Sequence, residues 1–485
     1  MLEALDTAWQ SILSIPHLGL YITGAWLLYV VWLCGWILLQ KREPVATLSW
    51  ILSLALLPYL GFLVYFVLGP QRIKRQRLRR GLSREGMDDY DQICPPDTDC
   101  SELARLAQSV TGLPPSNARA VGLLVDGAAT FDALVEAIAG ARNHVHVEYY
   151  IYQPDRTGTR IRDALVERAR AGVKVRLLLD AVGSSRVRRR FLQPLLDAGA
   201  EVAWFHPTHF RPLKRPWVNM RTHRKIVVVD GRVAFTGGIN ITDEQDERLH
   251  DRAYRDLHLR LEGRVVRSVQ LVFIEDWIYA TGQRRSHFQG TAAWPHDGDA
   301  DAAGAIDVQT LISGPDSAWE PIHRLHVGAI HEARRRVWLA TPYFVPGEAA
   351  RMALTSAALG GLDVRLLVPH RSDSRLVTLA ARSYYDELLA ARVRIFEYGP
   401  RMLHTKALLT DDEVAIIGSA NFDHRSFRLN FEISMLFRDR GVTGALEQLL
   451  AGEFALAHEV RDDRQRSLWR HRLPEAGARL LSPLL

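Results

Sequence analysis

Two stretches of the 485-residue chain carry the same reactive side chains at the same spacing: His223, Lys225 and Asp230, then His404, Lys406 and Asp411, each an H-x-K-x4-D pattern. A glycine follows each histidine by 14 positions (Gly237, Gly418) and an asparagine by 17 (Asn240, Asn421). Of 61 basic residues, only six are lysine, and two of these six occupy equivalent motif positions. In a chain that writes almost every cation as arginine, this points to a specific need for a compact ammonium.

Two imidazoles, two ammoniums and two amides suit a phosphoryl group. One imidazole attacks phosphorus and the other protonates the leaving alcohol, while Lys and Asn donors hold the charge on the equatorial oxygens. No HExxH, cysteine pair or Gly-rich GK[ST] loop accompanies the histidines, so no zinc, nucleotide or other cofactor is expected. A catalytic imidazole also needs an acceptor on its second nitrogen. The candidates are Asp256, 33 residues after His223 in Tyr254-Arg-Asp-Leu-His-Leu, and Glu432, 28 residues after His404 in Asn430-Phe-Glu-Ile-Ser.

These groups are positioned by a strand, a turn and a strand. Ile226 to Val229 is strongly β-forming, and Asp230-Gly231 is a hairpin signal leading into Val233-Ala-Phe-Thr-Gly-Gly. With a period of two, His223 and Lys225 share one face and Asp230 the other, and the second copy repeats this. The whole pattern, Asp230 and Asp411 included, is the candidate catalytic element, and parity makes the two aspartates its less direct participants. Gly237, Gly238 and Gly418 are expected where a ligand approaches the return strand, which delivers Asn240 and Asn421 as phosphate-binding amides.

The motif copies lie in a longer repeat. His144-Val-His-Val-Glu-Tyr-Tyr-Ile-Tyr152 resembles Arg336-Val-Trp-Leu-Ala-Thr-Pro-Tyr-Phe344, and Gly172-Val-Lys-Val-Arg-Leu-Leu-Leu179 resembles Gly361-Leu-Asp-Val-Arg-Leu-Leu-Val368, at an offset near 190 residues. That offset fits a duplicated α/β domain, with halves at 116–290 and 305–485 joined through the stretch 282–305. Residues 71–115 read as a linker, basic and then acidic.

Ahead of the linker, Leu18 to Leu39 and Val45 to Leu68 are free of charge. As helices they would reach roughly 33 and 36 Å, enough for each to span a bilayer. Trp26, Tyr29, Trp32, Trp36, Trp50, Tyr59 and Tyr65 include rings near the expected ends. Only Lys41 and Arg42 lie between the runs, whereas Arg72, Lys74, Arg75, Arg77, Arg79, Arg80 and Arg84 follow them. The positive-inside rule therefore places residues 71–485 in the cytoplasm, and the basic cluster lies where it can meet anionic headgroups. Net charge is +6, but the excess beyond residue 100 is diffuse. Three cysteines, Cys34, Cys94 and Cys100, form no disulfide framework, which fits a reducing compartment.

On both motifs the sequence resembles the phospholipase D superfamily. With the N-terminal hairpin it is similar to the bacterial cardiolipin synthases of that superfamily. The likeness covers Leu68-Gly-Pro70, Glu148-Tyr-Tyr-Ile151, the block from His223 through Asn240-Ile-Thr-Asp243, and His404-Thr-Lys through Gly418-Ser-Ala-Asn421-Phe-Asp-His-Arg-Ser426. It implies a transmembrane hairpin followed by two mixed-sheet α/β domains about a pseudo-twofold axis, sharing one site. It further implies an enzyme of the bacterial inner membrane that passes a phosphatidyl group from phosphatidylglycerol to one histidine and then to a second phosphatidylglycerol, giving cardiolipin and glycerol. The partners implied are phosphatidylglycerol, other anionic phospholipids and the membrane. Another donor or acceptor such as phosphatidylethanolamine, or water in a hydrolase or nuclease, uses the same groups. The two spans favour lipid, and residues 100–485 lack the concentrated basic face of a duplex binder. The loop His209-Phe-Arg-Pro-Leu-Lys-Arg-Pro-Trp217 reads either as a lipid grip through Arg211, Lys214, Arg215 and Trp217 or as a solvated surface loop.

Overall fold

The computed structural model of the protein describes residues 16–39, 44–56, 101–206, 220–283, 288, 304–461 and 467–482. These fall into two compact units, an N-terminal stretch and the remainder. The basic cluster, Cys94, Cys100 and the loop with Arg211, Lys214, Arg215 and Trp217 lie outside the described residues.

In the N-terminal unit, Leu18–Leu38 is one uninterrupted helix and, among the described residues, the one long and apolar enough to cross a membrane. Trp26, Tyr29, Trp32 and Trp36 form a ladder of successive rings about 6 Å apart instead of two belts at its ends. A second helix is described over Pro44–Leu56, and the rest of that apolar run lies outside the described residues. Leu33 and Ile37 of the first helix meet Leu54 of the second.

The larger unit holds two mixed sheets with one strand order. The first runs Ala120–Val125, Leu257–Glu262, Val233–Gly237, Lys225–Val229, His144–Tyr149, Lys174–Asp180 and Glu201–Phe205. The second runs Ile306–Ser313, Asn430–Arg438, Val414–Gly418, Ala407–Thr410, Arg336–Ala340, Asp363–Pro369 and Arg394–Tyr398. In each, the last three strands are parallel and the motif hairpin is antiparallel beside them.

The inner faces of both sheets close on one shared core, into which helix Val265–Thr281 is inserted with residues 265–277 buried. Each outer face carries its own helices: Asp126–Ala139 and Arg156–Arg170 on the first, Pro321–Glu332 and Glu348–Leu359 on the second. Parallel strands covered on both faces explain why these segments read as continuous apolar runs.

Part of the expected linker is structured. Ser101 caps helix Glu102–Thr111 by accepting from the Ala104 N–H, and Leu103, Ala104 and Ala107 bury one face of it. Ser116–Ala118 then adds an antiparallel edge strand to the second sheet, not the first. The spacing of these apolar residues over ten positions is helical, a signal the charge pattern obscured.

Candidate active site

Both motif histidines sit where one half reaches across to the other. The His223 N–H donates to the Phe431 carbonyl at 2.8 Å, and the His404 N–H to the Arg255 carbonyl at 2.7 Å. Each contact seats the ring beside the residue that follows its backbone acceptor, so the dyads are crossed. His223 Nδ1 lies 3.0 Å from Glu432 Oε2, and His404 Nδ1 lies 2.5 Å from Asp256 Oδ2. Asp256 and Glu432 are the expected acceptors, but each serves the histidine of the opposite half. With Nδ1 held by a carboxylate, Nε2 is the nitrogen left for chemistry.

The two carboxylates are braced differently. Asp256 accepts the Leu257 N–H on Oδ1 at 2.8 Å. Glu432 reaches one carbon further and takes the Ser419 hydroxyl at 2.5 Å and the Asn430 amide at 3.2 Å. Burial would raise both acids, yet Lys406 and His404 hold Asp256 below the usual range, and His223 and Lys225 do the same for Glu432. Burial, only partly offset by Glu432, pushes His223 down to about 4. Burial and then Lys406 lower His404. Both rings are therefore neutral at neutral pH.

The lysines lie behind the rings. Lys225 Nζ donates to the His223 carbonyl at 2.7 Å. Lys406 Nζ donates to the His404 carbonyl and lies 2.8 Å from His404 Nδ1 and 3.7 Å from Asp256 Oδ2. Burial brings Lys225 to about 7 and Lys406 to about 8, against the pull of Glu432 on the first and Asp256 on the second. Sequence reading aimed both ammoniums at a phosphate; here they back the histidines instead of lining the cleft.

The structure does not bring Asp230 and Asp411 to the cleft. Asp230 accepts the N–H groups of Arg142, Asn143 and His144 at 2.7–2.8 Å, and Asp411 those of Arg334, Arg335 and Arg336 at 2.8–3.0 Å. Both adopt left-handed backbone, φ 53° and 52°, which Asp tolerates better than most side chains. Each pins the start of the neighbouring strand to the motif turn, in line with the parity argument.

The glycines correct the sequence reading. A side chain at Gly238 would collide with Asp256 Oδ1, one at Gly237 with Leu257 and His258, and one at Gly418 with Ser434 and Ile433. They make room for the adjacent strand and for the orienting carboxylate, not for a ligand.

Both histidines line one cleft of about 430 Å³, together with Asn240 and Asn421. Asn240 Oδ1 accepts the Ile151 N–H at 3.4 Å, leaving its NH2 group to donate. Sequence reasoning missed much of the rest of the wall, including Tyr150, Thr242, Glu244 and Tyr254 from the first half, and Tyr343, Asp373, Asp423 and Arg425 from the second. The Tyr150 ring stands edge-on to His223 at 4.9 Å, and Tyr254 is 5.4 Å from His404. Among the described residues lining the cleft, Arg425 is the one permanent cation. Asp423 and Arg425 fall within the Asn421-Phe-Asp-His-Arg-Ser426 stretch that carries the family resemblance, the one signal that could have found them.

Comparison with known proteins identifies the family. Residues 134–254 and 327–454 each match the family described as "Cardiolipin synthase, PLD-like domain", and residues 26–70 match "Phospholipase_D-nuclease N-terminal". The chain is 39% identical to cardiolipin synthase 2 of Bacillus anthracis over 93% of this chain and 88% of that one. It is 37% identical to the cardiolipin synthase of Halalkalibacterium halodurans over 93% and 91%. The chain belongs to the cardiolipin synthase family of phospholipase D-like proteins. Each of the two family matches contains one H-x-K pair, whereas Asp256 falls just past the first match, immediately before the strand Leu257–Glu262, and completes the site of the second half. The fold is shared with a phosphatidylserine synthase of Haemophilus influenzae, TM-score 0.61 at 14% identity, covering 79% of this chain and 100% of that one. In this cardiolipin synthase family member the shared site is thus a product of both halves at once.

Proposed function

We propose that the protein is a cardiolipin synthase that condenses two phosphatidylglycerol molecules into cardiolipin and glycerol through the Nε2 atoms of His223 and His404. The observation that carries this is two histidines on one cleft, each held at Nδ1 by a carboxylate from the opposite half.

One neutral imidazole attacks the phosphorus of the first lipid, and the phosphorus–oxygen bond to glycerol breaks. The other, as imidazolium, gives its proton to the departing glycerol oxygen. The phosphodiester anion itself favours that imidazolium, since a nearby negative charge raises a histidine pKa. The same ring then takes the proton from the glycerol hydroxyl of the second lipid, whose oxygen attacks phosphorus and frees the first histidine. Glu432 and Asp256 keep each ring oriented and stabilise its charged form. Lys225 and Lys406 hold the histidine backbone from behind by donating to the His223 and His404 carbonyls, and Asn240, Asn421 and Arg425 donate to the phosphate oxygens. Asp373, bonded to the Tyr343 hydroxyl at 2.7 Å, and Glu244 supply acceptors for the hydroxyls of a glycerol headgroup.

The N-terminal part acts as an anchor in the bacterial inner membrane, with Leu18–Leu38 and the run from Pro44 as a hairpin and the duplicated halves on the cytoplasmic side. This reading is supported by the apolar helix, the charge asymmetry around it and the N-terminal family match.

The test is incubation of the purified protein with labelled phosphatidylglycerol in detergent, with His223→Ala and His404→Ala alongside. Cardiolipin plus free glycerol, absent with both variants, is the expected result. Phosphatidic acid alone would make the protein a hydrolase, and turnover only after phosphatidylethanolamine is added would change the donor.

A further inference from the structure

The last described segment has its amphipathicity inverted. A wide helical turn, Leu468–Arg472, runs into helix Leu473–Leu480. The side that faces the protein is made of Glu475, Ala478 and Ser482, all buried. The large apolar residues point outward: Trp469 is 75% exposed and Leu480 82%, with Leu468, Leu473 and Leu481 also exposed. A helix held only by its apolar stripe would bury those residues and expose the others.

The segment is nonetheless held firmly. Tyr384 donates its hydroxyl to Ser482 Oγ at 3.0 Å, Arg479 donates to the Ser383 carbonyl at 3.4 Å, and the Arg479 guanidinium covers the Tyr384 ring at 4.4 Å. Tyr384 and Ser383 end the helix Arg375–Arg382, whose Val377 lines the catalytic cleft. The segment is therefore braced one helix away from the cleft wall. Both PLD-like family matches stop before it.

Its exposed charge is of one sign. Arg470 and Arg472 stand among the outward Leu and Trp side chains, and the one acid of the segment, Glu475, faces inward. Exposed apolar side chains interleaved with cations fit the interface of an anionic bilayer, where the apolar groups enter the headgroup boundary and the guanidiniums meet phosphates.

We propose that residues 467–482 form a membrane-contact element that lies in the interface of an anionic bilayer and holds the catalytic cleft at the lipid surface. The inference rests on the lipid-substrate reading above, but its test needs no turnover. The full chain, with its three cysteines replaced by serine, is given a single environment-sensitive label at Trp469→Cys, Leu480→Cys or, as reference, the exposed Lys174→Cys. It is reconstituted in phosphatidylcholine vesicles with or without phosphatidylglycerol, and quenching by nitroxide-bearing lipids is measured. Labels at 469 and 480 should be quenched on the order of fivefold more than at 174, and only when phosphatidylglycerol is present.

Equal quenching at all three sites, or no dependence on phosphatidylglycerol, overturns the proposal. Protection from aqueous iodide without quenching by lipid, as burial against a protein would give, overturns it as well. As a second readout, Leu480→Glu should raise the surface concentration of phosphatidylglycerol needed for half-maximal rate on the order of threefold while leaving kcat in detergent unchanged. An unchanged surface requirement would count against it.

Discussion

The two dyads occupy equivalent places on two sheets of the same strand order, yet they are built differently. His404 is served by a short carboxylate tied to its own backbone, with a lysine at the same ring nitrogen. His223 is served by a longer carboxylate held by a serine and an asparagine, with its lysine bonded elsewhere. Fifteen positions after His223 stands Gly238, and the same position after His404 is Ser419. The glycine leaves space for Asp256, and the serine reaches over to Glu432. Duplication supplies two copies of a frame, and the contact between them divides the roles of its residues.

The largest effect comes from neutralising the carboxylates. Asp256→Asn and Glu432→Gln should each lower kcat on the order of a thousandfold, since either leaves a ring without its orienting charge. Steady-state rates on phosphatidylglycerol measure this, and a loss confined to one variant would break the equivalence of the dyads.

Exchanging the position that differs comes next. Gly238→Ser should displace the Asp256 carboxylate and lower kcat on the order of a hundredfold, as a misplacement of about 1 Å does. The reverse change, Ser419→Gly, removes one hydrogen bond to a charged acceptor, so a loss of about tenfold is expected. If the two changes cost the same, the bracing described here is wrong.

Asp230→Asn and Asp411→Asn act on the frame. Each weakens a carboxylate that accepts three backbone N–H groups, so a stability loss of about 2 kcal/mol is expected, with kcat of the folded fraction within about threefold. Thermal melting alongside activity distinguishes this from a catalytic role.

The smallest effect is on pH dependence. His223 is depressed to about 4 in the folded protein, so below about 6.5 the unfolded chain binds a proton that the folded one refuses. Stability is then complete above about pH 6.5 and is lost as pH falls toward 4. His223→Gln should remove more of that slope than His404→Gln, and equal slopes would place the two rings in equivalent environments.

Much of the site was legible because its parts are local or periodic. The H-x-K pairs, the turn at Asp230-Gly231 and the parity that turns both aspartates away from the cleft follow from spacing within a few residues. Asp256 and Glu432 could be named as acceptors, since each is an acid at an expected strand start, 33 and 28 residues past a motif histidine. Their crossing could not be read, because the Phe431 and Arg255 carbonyls that seat the histidines meet them only across the contact between the sheets. The glycines misled for the same reason: a missing side chain looks alike whether a ligand or a neighbouring carboxylate fills the space. Of the cleft wall, Tyr254 and Asp373 come from separate loops with no shared period, and Tyr150 and Tyr343 lie in the repeated segments but carry no spacing that marks them as lining a site. Helix Glu102–Thr111 was hidden by the acidic stretch that precedes it.

The central claim is that the halves exchange carboxylates to make one reaction centre. The most direct measurement is to trap the covalent adduct from phosphatidylglycerol labelled at phosphorus, map the labelled peptide, and repeat this with Asp256→Asn and Glu432→Gln. The account expects a phosphohistidine at His223 that falls most with Glu432→Gln, or one at His404 that falls most with Asp256→Asn. A labelled histidine that loses its adduct mainly with the carboxylate of its own half, or continued turnover with no phosphohistidine at either position, would contradict it.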